Sequence, residues 1–545
     1  MARMTGGQAL VESILGHGID TIFGLPGIQI DHLFNALYDA GNRVRVIHSR
    51  HEQGAAYMAL GYAISSGRTG VYAVVPGPGL LNASAALSTA YASNAPVLCV
   101  SGQIPSPAIG RGLGLLHEIP DQLGILQRLT KWARRIDHPT LAPELVNEAF
   151  AQMRWGRVRP VALEMAMDVM AASAEVSLRD PAPSPPPPTP DPELIEQAAK
   201  LLGAAEQPLI MVGGGAVGAA DVLLELAEAV QAPVVSQRGG RGVVSDCHYL
   251  GQSWPAGHRL WAEADVVLAV GTRLQQARMA WGEDEDLKII RIDIDPVEIT
   301  RLSKPAVGIV ADAADGLRAL FDALARHNRR RPSRRDELQA LKSEVGAEIA
   351  KLEPQMSYLR VIREELPDDG FFVDELTQVG FAARLGFPVY EPRHFVSAGY
   401  QGTLGYGFAT ALGVQVAHPD KKVVSVNGDG GFMFTMPELS TAVQNNLGVV
   451  AIVFTDNAFG NVRRMQENLY GGRVIASDLH NPDFVKLATS FGAAGYRARS
   501  PDELRPVLHE ALSNRGPSLI EVPVAQMAEP WHLVHMPRVR PRRRE

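Results

Sequence analysis

Two periods of apolar and polar positions alternate along this chain. After Thr5, which can cap a helix, apolar residues recur at Ala9, Leu10 and Ile14 with helical spacing. Thr21–Phe23 and Arg43–Ile47 read as short strands, Glu52–Ile64 as a helix, and Val71–Val75 as a strand. Leu80–Ala92 then reads as a small-residue helix and Pro96–Val100 as another buried strand. Strands that are apolar throughout and separated by helices predict a parallel sheet covered on both faces. The alternation returns in a second stretch, with strand Pro208–Val212, turn Gly213–Gly215, helix Ala219–Val230 and strands Asp265–Val270 and Lys288–Ile294. A third stretch has strands Phe371–Val373, His394–Val396, Lys422–Val426 and Val449–Phe454, helices Leu404–Ala417 and Pro437–Asn446, and a late helix and strand ending near Val522. The predicted fold class is α/β, with three tandem doubly wound parallel-sheet domains.

Composition places the boundaries. Pro181 to Pro192 lacks most backbone donors and favours an extended polyproline conformation, so it reads as a semi-rigid spacer rather than a ligand for a proline-binding module. The charged segment Arg329 to Arg335 reads as a solvated linker. The expected layout is a first domain at 1–170, a proline-rich linker at 171–192, a central domain at 193–335, a third domain at 336–530 and a basic tail at 531–545. In that tail, Arg538 to Arg544 reads as a solvated end. With 46% apolar and 20% charged residues the chain is not globally disordered, and a net charge of −7 argues against a general nucleic-acid binder.

Cys99 and Cys247 are the only cysteines, which excludes a disulfide framework and a thiolate metal site and favours a reducing compartment. Cys99 lies in a strand pattern, so core packing is its expected role. The first twenty residues lack the basic start and apolar run of a signal peptide, and no apolar stretch reaches the roughly 20 residues of a membrane span. A cytoplasmic protein with no membrane partner is the expectation.

The chemistry concentrates in two places. Strand Val423–Val426 runs into Gly428-Asp429-Gly430-Gly431, where missing side chains let backbone N–H groups approach an anion and a carboxylate is available to a hard cation. The next strand ends at Asp456, 456 − 429 = 27 residues on. Two oxygen ligands at the carboxyl ends of neighbouring parallel strands suit a magnesium-bridged diphosphate. In the first domain, Glu52 lies at the junction of a strand and a small-residue helix, where an acid facing a cleft should be poorly solvated and inclined to hold a proton. The turn Pro76-Gly77-Pro78-Gly79 followed by Asn82 is ambiguous alone. Gly213 to Gly218 does not complete a GxGxxG pattern, and close packing explains its glycines without a ligand.

Taken together, these segments resemble the thiamine diphosphate-dependent enzymes of the acetolactate synthase and pyruvate oxidase group over nearly the whole chain. The matching stretches are Phe23-Gly-Leu-Pro-Gly27, Arg50-His-Glu-Gln-Gly-Ala55, Gly77-Pro-Gly79 with Asn82, Gly402-Thr-Leu-Gly-Tyr-Gly407, Gly428-Asp-Gly430 and Asp456-Asn-Ala-Phe-Gly460. The resemblance implies a pyrimidine-binding domain, a central Rossmann-like domain and a diphosphate-binding domain. It implies that Glu52 hydrogen-bonds the aminopyrimidine ring and favours its imino tautomer, and that Leu404 is an apolar wedge bending the cofactor. Mg²⁺ would be held by Asp429, Asp456 and the main-chain carbonyl of Ala458, with Asn457 the rival to Asp456. Further implied cofactor contacts are Pro26, Gly27, Gly79, Asn82, Gln378, Gly402, Gly428, Gly430, Gly431, Phe459 and Gly460. The cofactor would bridge two domains of different subunits, implying a homodimer or homotetramer.

The sequence also departs from acetolactate synthase. His117 stands where that enzyme has a pocket amide, Met465 where a bulky Trp selects the acceptor, and Ala277 where an Arg lies near substrate and flavin, with Arg278 one place away. His117 is the candidate for an additional proton-transfer group, with a hydrogen-bonded pocket-wall histidine as the plainer reading. Lys131 matches the group and could serve only a surface ion pair. The resulting expectation is a thiamine diphosphate- and Mg²⁺-dependent carboligase or lyase acting on a 2-oxo acid or related carbonyl compound. The alternatives are an FAD-dependent oxidase, a simple 2-oxo acid decarboxylase, and an inactive regulatory homologue.

Overall fold

Three six-stranded sheets carry the fold in the computed structural model, which describes residues 1–183 and 185–541. Two units can be distinguished. The first comprises Met1–Pro185, Ala398–Ala498 and Val507–Val522; the second comprises Pro186–Ser397, Arg499–Pro506 and Pro523–Glu545.

In the first unit one sheet runs Arg45–His48, Thr21–Gly24, Gly70–Val74, Val97–Gln103, Val161–Ala166, Trp132–Ile136, every neighbouring pair parallel. The chain proceeds to one side of Thr21–Gly24 and then to the other, so the sheet reverses between Thr21–Gly24 and Gly70–Val74. Loops leaving the carboxyl ends of two such strands diverge and leave a crevice between them. Those loops carry Pro26-Gly27 and Pro76-Gly77-Pro78-Gly79. Gly70–Val74 and Val97–Gln103 are buried at every position, as both-face coverage requires. Cys99 sits inside this core at 0% exposure, and burial pushes its thiol up to about 12.

The same unit contains parallel strands Val423–Gly428 and Val449–Thr455, and the parallel pair Ala494–Arg497 with Ser518–Pro523. Helices Glu52–Ser66 and Gly407–Ala417 are buried nearly all round and rich in small residues, the composition of helices with no solvent face. They cross at two glycines: a Cβ on Gly61 would fall well under 3.0 Å from the Thr410 carbonyl oxygen, and one on Gly413 equally close to that of Met58. Thr5 forms the capping box of helix Gly6–Gly16, and strand Ala2–Thr5, not anticipated in the sequence, pairs antiparallel with Ser173–Val176.

In the second unit the central sheet has the order Gly251–Gln252, Val234–Ser236, Pro208–Val212, Val266–Val270, Lys288–Asp293, Val307–Val310. Its reversal point lies between Pro208–Val212 and Val266–Val270. There the glycines pack on each other. A Cβ on Gly213 would fall under 3.0 Å from the Gly271 carbonyl oxygen, and one on Gly215 likewise from Gly271 Cα. Parallel strands Phe371–Val373 and Phe395–Val396 belong to this unit as well.

Several expectations change. The helix expected from Leu404 begins at Gly407, because Gly405 at φ +85° holds a left-handed turn conformation that a helix cannot absorb. The helix expected over Pro437–Asn446 is a 3₁₀ turn, Met436–Glu438, followed by helix Leu439–Gln444. Before Pro192 the largely exposed proline-rich stretch has neither helix nor strand among its described residues, with Ser184 outside them. Its last residue, Pro192, is already the first of helix Pro192–Ala204, capped by Asp191. The Arg329–Arg335 segment is not simply solvated. Arg331 Nη2 donates to the carbonyls of Leu202, Gly203 and Ala205, each at 3.0 Å, satisfying acceptors that the end of that helix leaves open. Nor is the basic tail a free end. Arg540, 6% exposed, bonds Asp284 and the carbonyls of Trp261 and Ala264, and Arg538 bonds the Met279 carbonyl. The remaining arginines of that tail, Arg542 to Arg544, lie outside the described residues.

Candidate active site

The sequence-predicted residues of the first unit fall into two groups. In the first group, strand Arg45–His48 leads to His51, the N-cap of helix Glu52–Ser66, whose Nδ1 accepts from the Gln53 N–H. Glu52 is thereby the first helical residue. Its Oε2 accepts from Asn82 Nδ2 at 3.0 Å, and its Oε1 has no hydrogen-bond partner among the described residues. Asn82 lies on the first turns of helix Pro78–Ser93, which starts with Pro at its first position after Gly77 at φ +58°. Gly79 leaves room beside Glu52: a Cβ there would lie 3.4 Å from Glu52 Oε1 and 2.6 Å from Val75. A Cβ on Gly27 would also meet Val75, at 2.5 Å. Glu52 is half-buried in this chain, more solvated than the sequence suggested.

The same turn reaches His117. A Cβ on Gly77 would fall well under 3.0 Å from the His117 carbonyl oxygen, so the turn and the His117 backbone touch directly. His117 has φ +65°, an uncommon conformation for a side-chain-bearing residue, and its Nδ1 lies 2.9 Å from Gln29 Oε1. Gln29 spends its own amide N–H on the Leu116 carbonyl, so its Oε1 is the acceptor and His117 Nδ1 carries the proton. A neutral His117 therefore presents Nε2 as a lone pair. Gln122 supports the turn from behind, accepting from the Gly77 N–H and donating to Glu164 Oε2, each at 2.9 Å.

The second group lies where parallel strands Val423–Gly428 and Val449–Thr455 end side by side, with Gly428 opposite Phe454. Asp429, 2% exposed, accepts from the Gly430 N–H on Oδ1 and from the Asn457 N–H and Asn481 Nδ2 on Oδ2. Burial, then the charge of Asp456, pushes its carboxyl up to about 6 against these three donors. Asp456 Oδ1 accepts from the Ala458 N–H, and Ala458 is buried. Asn457, at φ +53°, directs its backbone N–H to Asp429, and its side-chain oxygen accepts from Asn481. Phe459 packs over Gly430, where a Cβ would meet its ring at 2.6 Å. Gly431 lies in the same buried turn and Gly460 opens helix Gly460–Leu469.

A buried carboxylate repelled by a neighbouring one is a place where a dication lowers the energy of both. Among the described residues no three or more His, Cys, Asp or Glu side chains gather for a metal. The rest of a shell here would be carbonyl, water and phosphate oxygens, the donor set that Mg²⁺ shares with a diphosphate. The free Oε1 of Glu52 is likewise an acceptor suited to a ligand N–H. These residues fit the cofactor and the ion.

The chain matches the N-terminal thiamine pyrophosphate-binding domain of thiamine pyrophosphate enzymes over residues 4–125, their central domain over 195–320, and their C-terminal thiamine pyrophosphate-binding domain over 376–522. A probable 2-ketoarginine decarboxylase of Pseudomonas aeruginosa is 33% identical over 95% of this chain and 94% of its own length. A probable acetolactate synthase large subunit of Methanocaldococcus jannaschii is 33% identical over 95% and 92%. The acetolactate synthase isozyme 3 large subunit of Escherichia coli is 30% identical over 94% and 93%. The chain belongs to the thiamine pyrophosphate enzymes. Within them it is of the acetolactate synthase and pyruvate oxidase group, a thiamine diphosphate-dependent enzyme that forms or cleaves carbon–carbon bonds.

The other sequence candidates take the following places in their own units. Gln378 is in the second unit, where its Oε1 accepts from the Met527 N–H at 2.9 Å. Also there, Ala277 is fully buried and Arg278 is held by Glu283 through two hydrogen bonds. Leu404 is half-buried in the turn before helix Gly407–Ala417, and Met465 is 47% exposed on Gly460–Leu469. Lys131 donates to the carbonyls of Trp155 and Arg157, a backbone-binding role the sequence did not suggest. Sequence reasoning missed Asn481, Gln29, Gln122 and Glu438. Each acts through a partner distant in the chain, and no local pattern marks the first three. Glu438 alone carried a signal, an acid at the start of an expected helix.

Proposed function

We propose that this thiamine diphosphate-dependent enzyme is a Mg²⁺-dependent carboligase or lyase acting on a 2-oxo acid, with Glu52 and His117 as its proton-handling groups. The observation that carries the reading is the retention of both halves of the machinery. A Glu52 carboxylate oxygen with no hydrogen-bond partner among the described residues lies beside Gly79 of the crevice loop, and a buried, repelled acid pair stands at the ends of two parallel strands. An inactive homologue would have no need of either.

When bound, thiamine diphosphate supplies a nucleophilic carbon and an electron sink for the bond next to a carbonyl. Glu52, steadied by Asn82, holds a proton at the pyrimidine ring through Oε1. Asp429, Asp456 and the Ala458 carbonyl bind Mg²⁺, while Asn481 and the Asn457 N–H keep Asp429 oriented. Gly428, Gly430 and Gly431 admit the diphosphate, Pro26, Gly27 and Gly79 line the pyrimidine side, and Leu404 is the apolar wedge. Gly402, Phe459 and Gly460 complete the proposed contacts. His117 Nε2 takes or returns a proton at the substrate, its tautomer fixed by Gln29.

Plain decarboxylation is the second reading. It is supported by the name of the Pseudomonas relative and by a histidine able to deliver a proton to the product carbon. The flavin-dependent oxidase has less support than these two, since Arg278, the candidate on that side, is paired with Glu283. A homodimer or homotetramer is part of the proposal, and the exposed apolar residues Leu116, Phe434, Leu469 and Ile475 of the first unit suit a second copy. A panel of 2-oxo acids, with and without aldehyde acceptors, tests the reaction by measuring carbon dioxide and ligation product together. Full turnover in Glu52→Gln refutes the mechanism, and flavin absorbance in active protein would revive the oxidase alternative.

A further inference from the structure

Glu438 is 1% exposed and belongs to neither group of candidate residues, yet it is tied to the residues that carry Glu52. The Arg50 N–H donates to both of its carboxylate oxygens at 3.1 Å, and the His51 N–H donates to Oε1 at 3.1 Å. Thr441 Oγ1 donates to Oε2 at 2.6 Å and fixes the rotation of the carboxylate. Arg50 and His51 precede the helix, so no helical carbonyl accepts from their N–H groups. Space is reserved for this contact: a Cβ on Gly54 would fall well under 3.0 Å from Glu438 Oε1. Burial holds the carboxyl above its usual range, opposed by Thr441 and the two N–H groups.

We propose that Glu438 is the positioning residue for Glu52, clamping the Arg50–His51 peptides so that helix Glu52–Ser66 starts at one fixed angle and Glu52 meets the cofactor in register. The proposal rests on the role assigned to Glu52. Two N–H groups on consecutive residues define a direction, and the carboxylate they share is anchored in a different part of the chain by Thr441. The residue after them is Glu52, so little chain remains to absorb an error. Displacement of a reacting group by about 1 Å costs on the order of 100-fold in rate.

The test uses the holoprotein and reads exchange of the thiazolium C2 proton for deuterium at saturating cofactor, together with cofactor affinity from fluorescence quenching. Glu438→Ala leaves both N–H groups without their acceptor and is expected to slow exchange by on the order of 100-fold. Glu438→Gln keeps one acceptor oxygen for Arg50 and His51 and turns its amide N–H toward Thr441 Oγ1, so it is expected to restore exchange to within about tenfold of wild type. Wild-type exchange in a saturated Glu438→Ala protein overturns the proposal, even if that protein is less stable, because a purely structural role moves only the melting point. If Glu438→Ala does not fold, Thr441→Val decides: slowed exchange upholds the clamp and unchanged exchange overturns it. Glu52→Gln separates the two levels. Unchanged exchange there removes the Glu52 assignment and the clamp's purpose with it, whereas slow exchange in Glu52→Gln beside wild-type exchange in Glu438→Ala removes the clamp alone.

Discussion

Replacing Asp429 by asparagine should stabilise the cofactor-free protein while abolishing its response to Mg²⁺ and thiamine diphosphate. In the folded chain the Asp429 carboxyl is pushed from 3.8 up to about 6 by burial and by Asp456. Because the folded value is raised, the folded state binds the proton more tightly than the unfolded state. Stability therefore falls as pH rises from about 4 to about 6, and the full cost persists above that window. A shift of about two units at roughly 1.4 kcal/mol each makes that cost about 3 kcal/mol. Asparagine removes the charge but gives up one acceptor oxygen, since Gly430 N–H bonds Oδ1 while Asn457 and Asn481 share Oδ2. A lost hydrogen bond offsets the gain by about 1 kcal/mol, leaving the variant about 2 kcal/mol more stable above pH ~6. The assay is thermal unfolding of chelator-treated protein at several pH values, repeated with Mg²⁺ and cofactor. Wild type should gain from the ligands by mass action and the variant should not. Equal or lower stability of the variant at pH 7.5, or a gap that does not shrink toward pH 5, would refute the reasoning.

Three further outcomes are expected. Native protein should show one fast thiol toward a disulfide reagent at pH 8, the exposed Cys247, with Cys99 reacting only after denaturation; two fast thiols in native protein would contradict its burial. Gly413→Ala should lower the melting point by an amount corresponding to about 2 kcal/mol or more, because its Cβ has to displace the Met58 backbone at the helix crossing. Arg540→Ala should cost about 3 kcal/mol in denaturant unfolding by removing the guanidinium's bonds to Asp284 and to the Trp261 and Ala264 carbonyls, against about 1 kcal/mol or less for the exposed Arg538→Ala; equal effects would mean that the tail is not held through Arg540.

The α/β class, most strand positions and the two acids at adjacent strand ends were legible because buried parallel strands are short apolar runs and the glycines beside them interrupt the pattern locally. Helix starts were less legible: Gly405 looked compatible with a helix from Leu404 until its left-handed conformation appeared. Charge segments misled for a related reason. An arginine run reads as solvated unless its acceptors are known, and those of Arg331 and Arg540 are carbonyls contributed by helices and loops far away in sequence. By itself the sequence determined the cofactor class and singled out Glu52, Asp429 and Asp456 as the residues proposed to serve it, since that chemistry depends on residue type and short spacing. Only the tertiary structure decided the tautomer of His117, the raised carboxyl of Asp429 and the hold of Glu438 on the Arg50–His51 turn, because each depends on burial and on a partner in a distant segment: Gln29 for His117, Asp456 for Asp429, and Glu438 itself for Arg50 and His51.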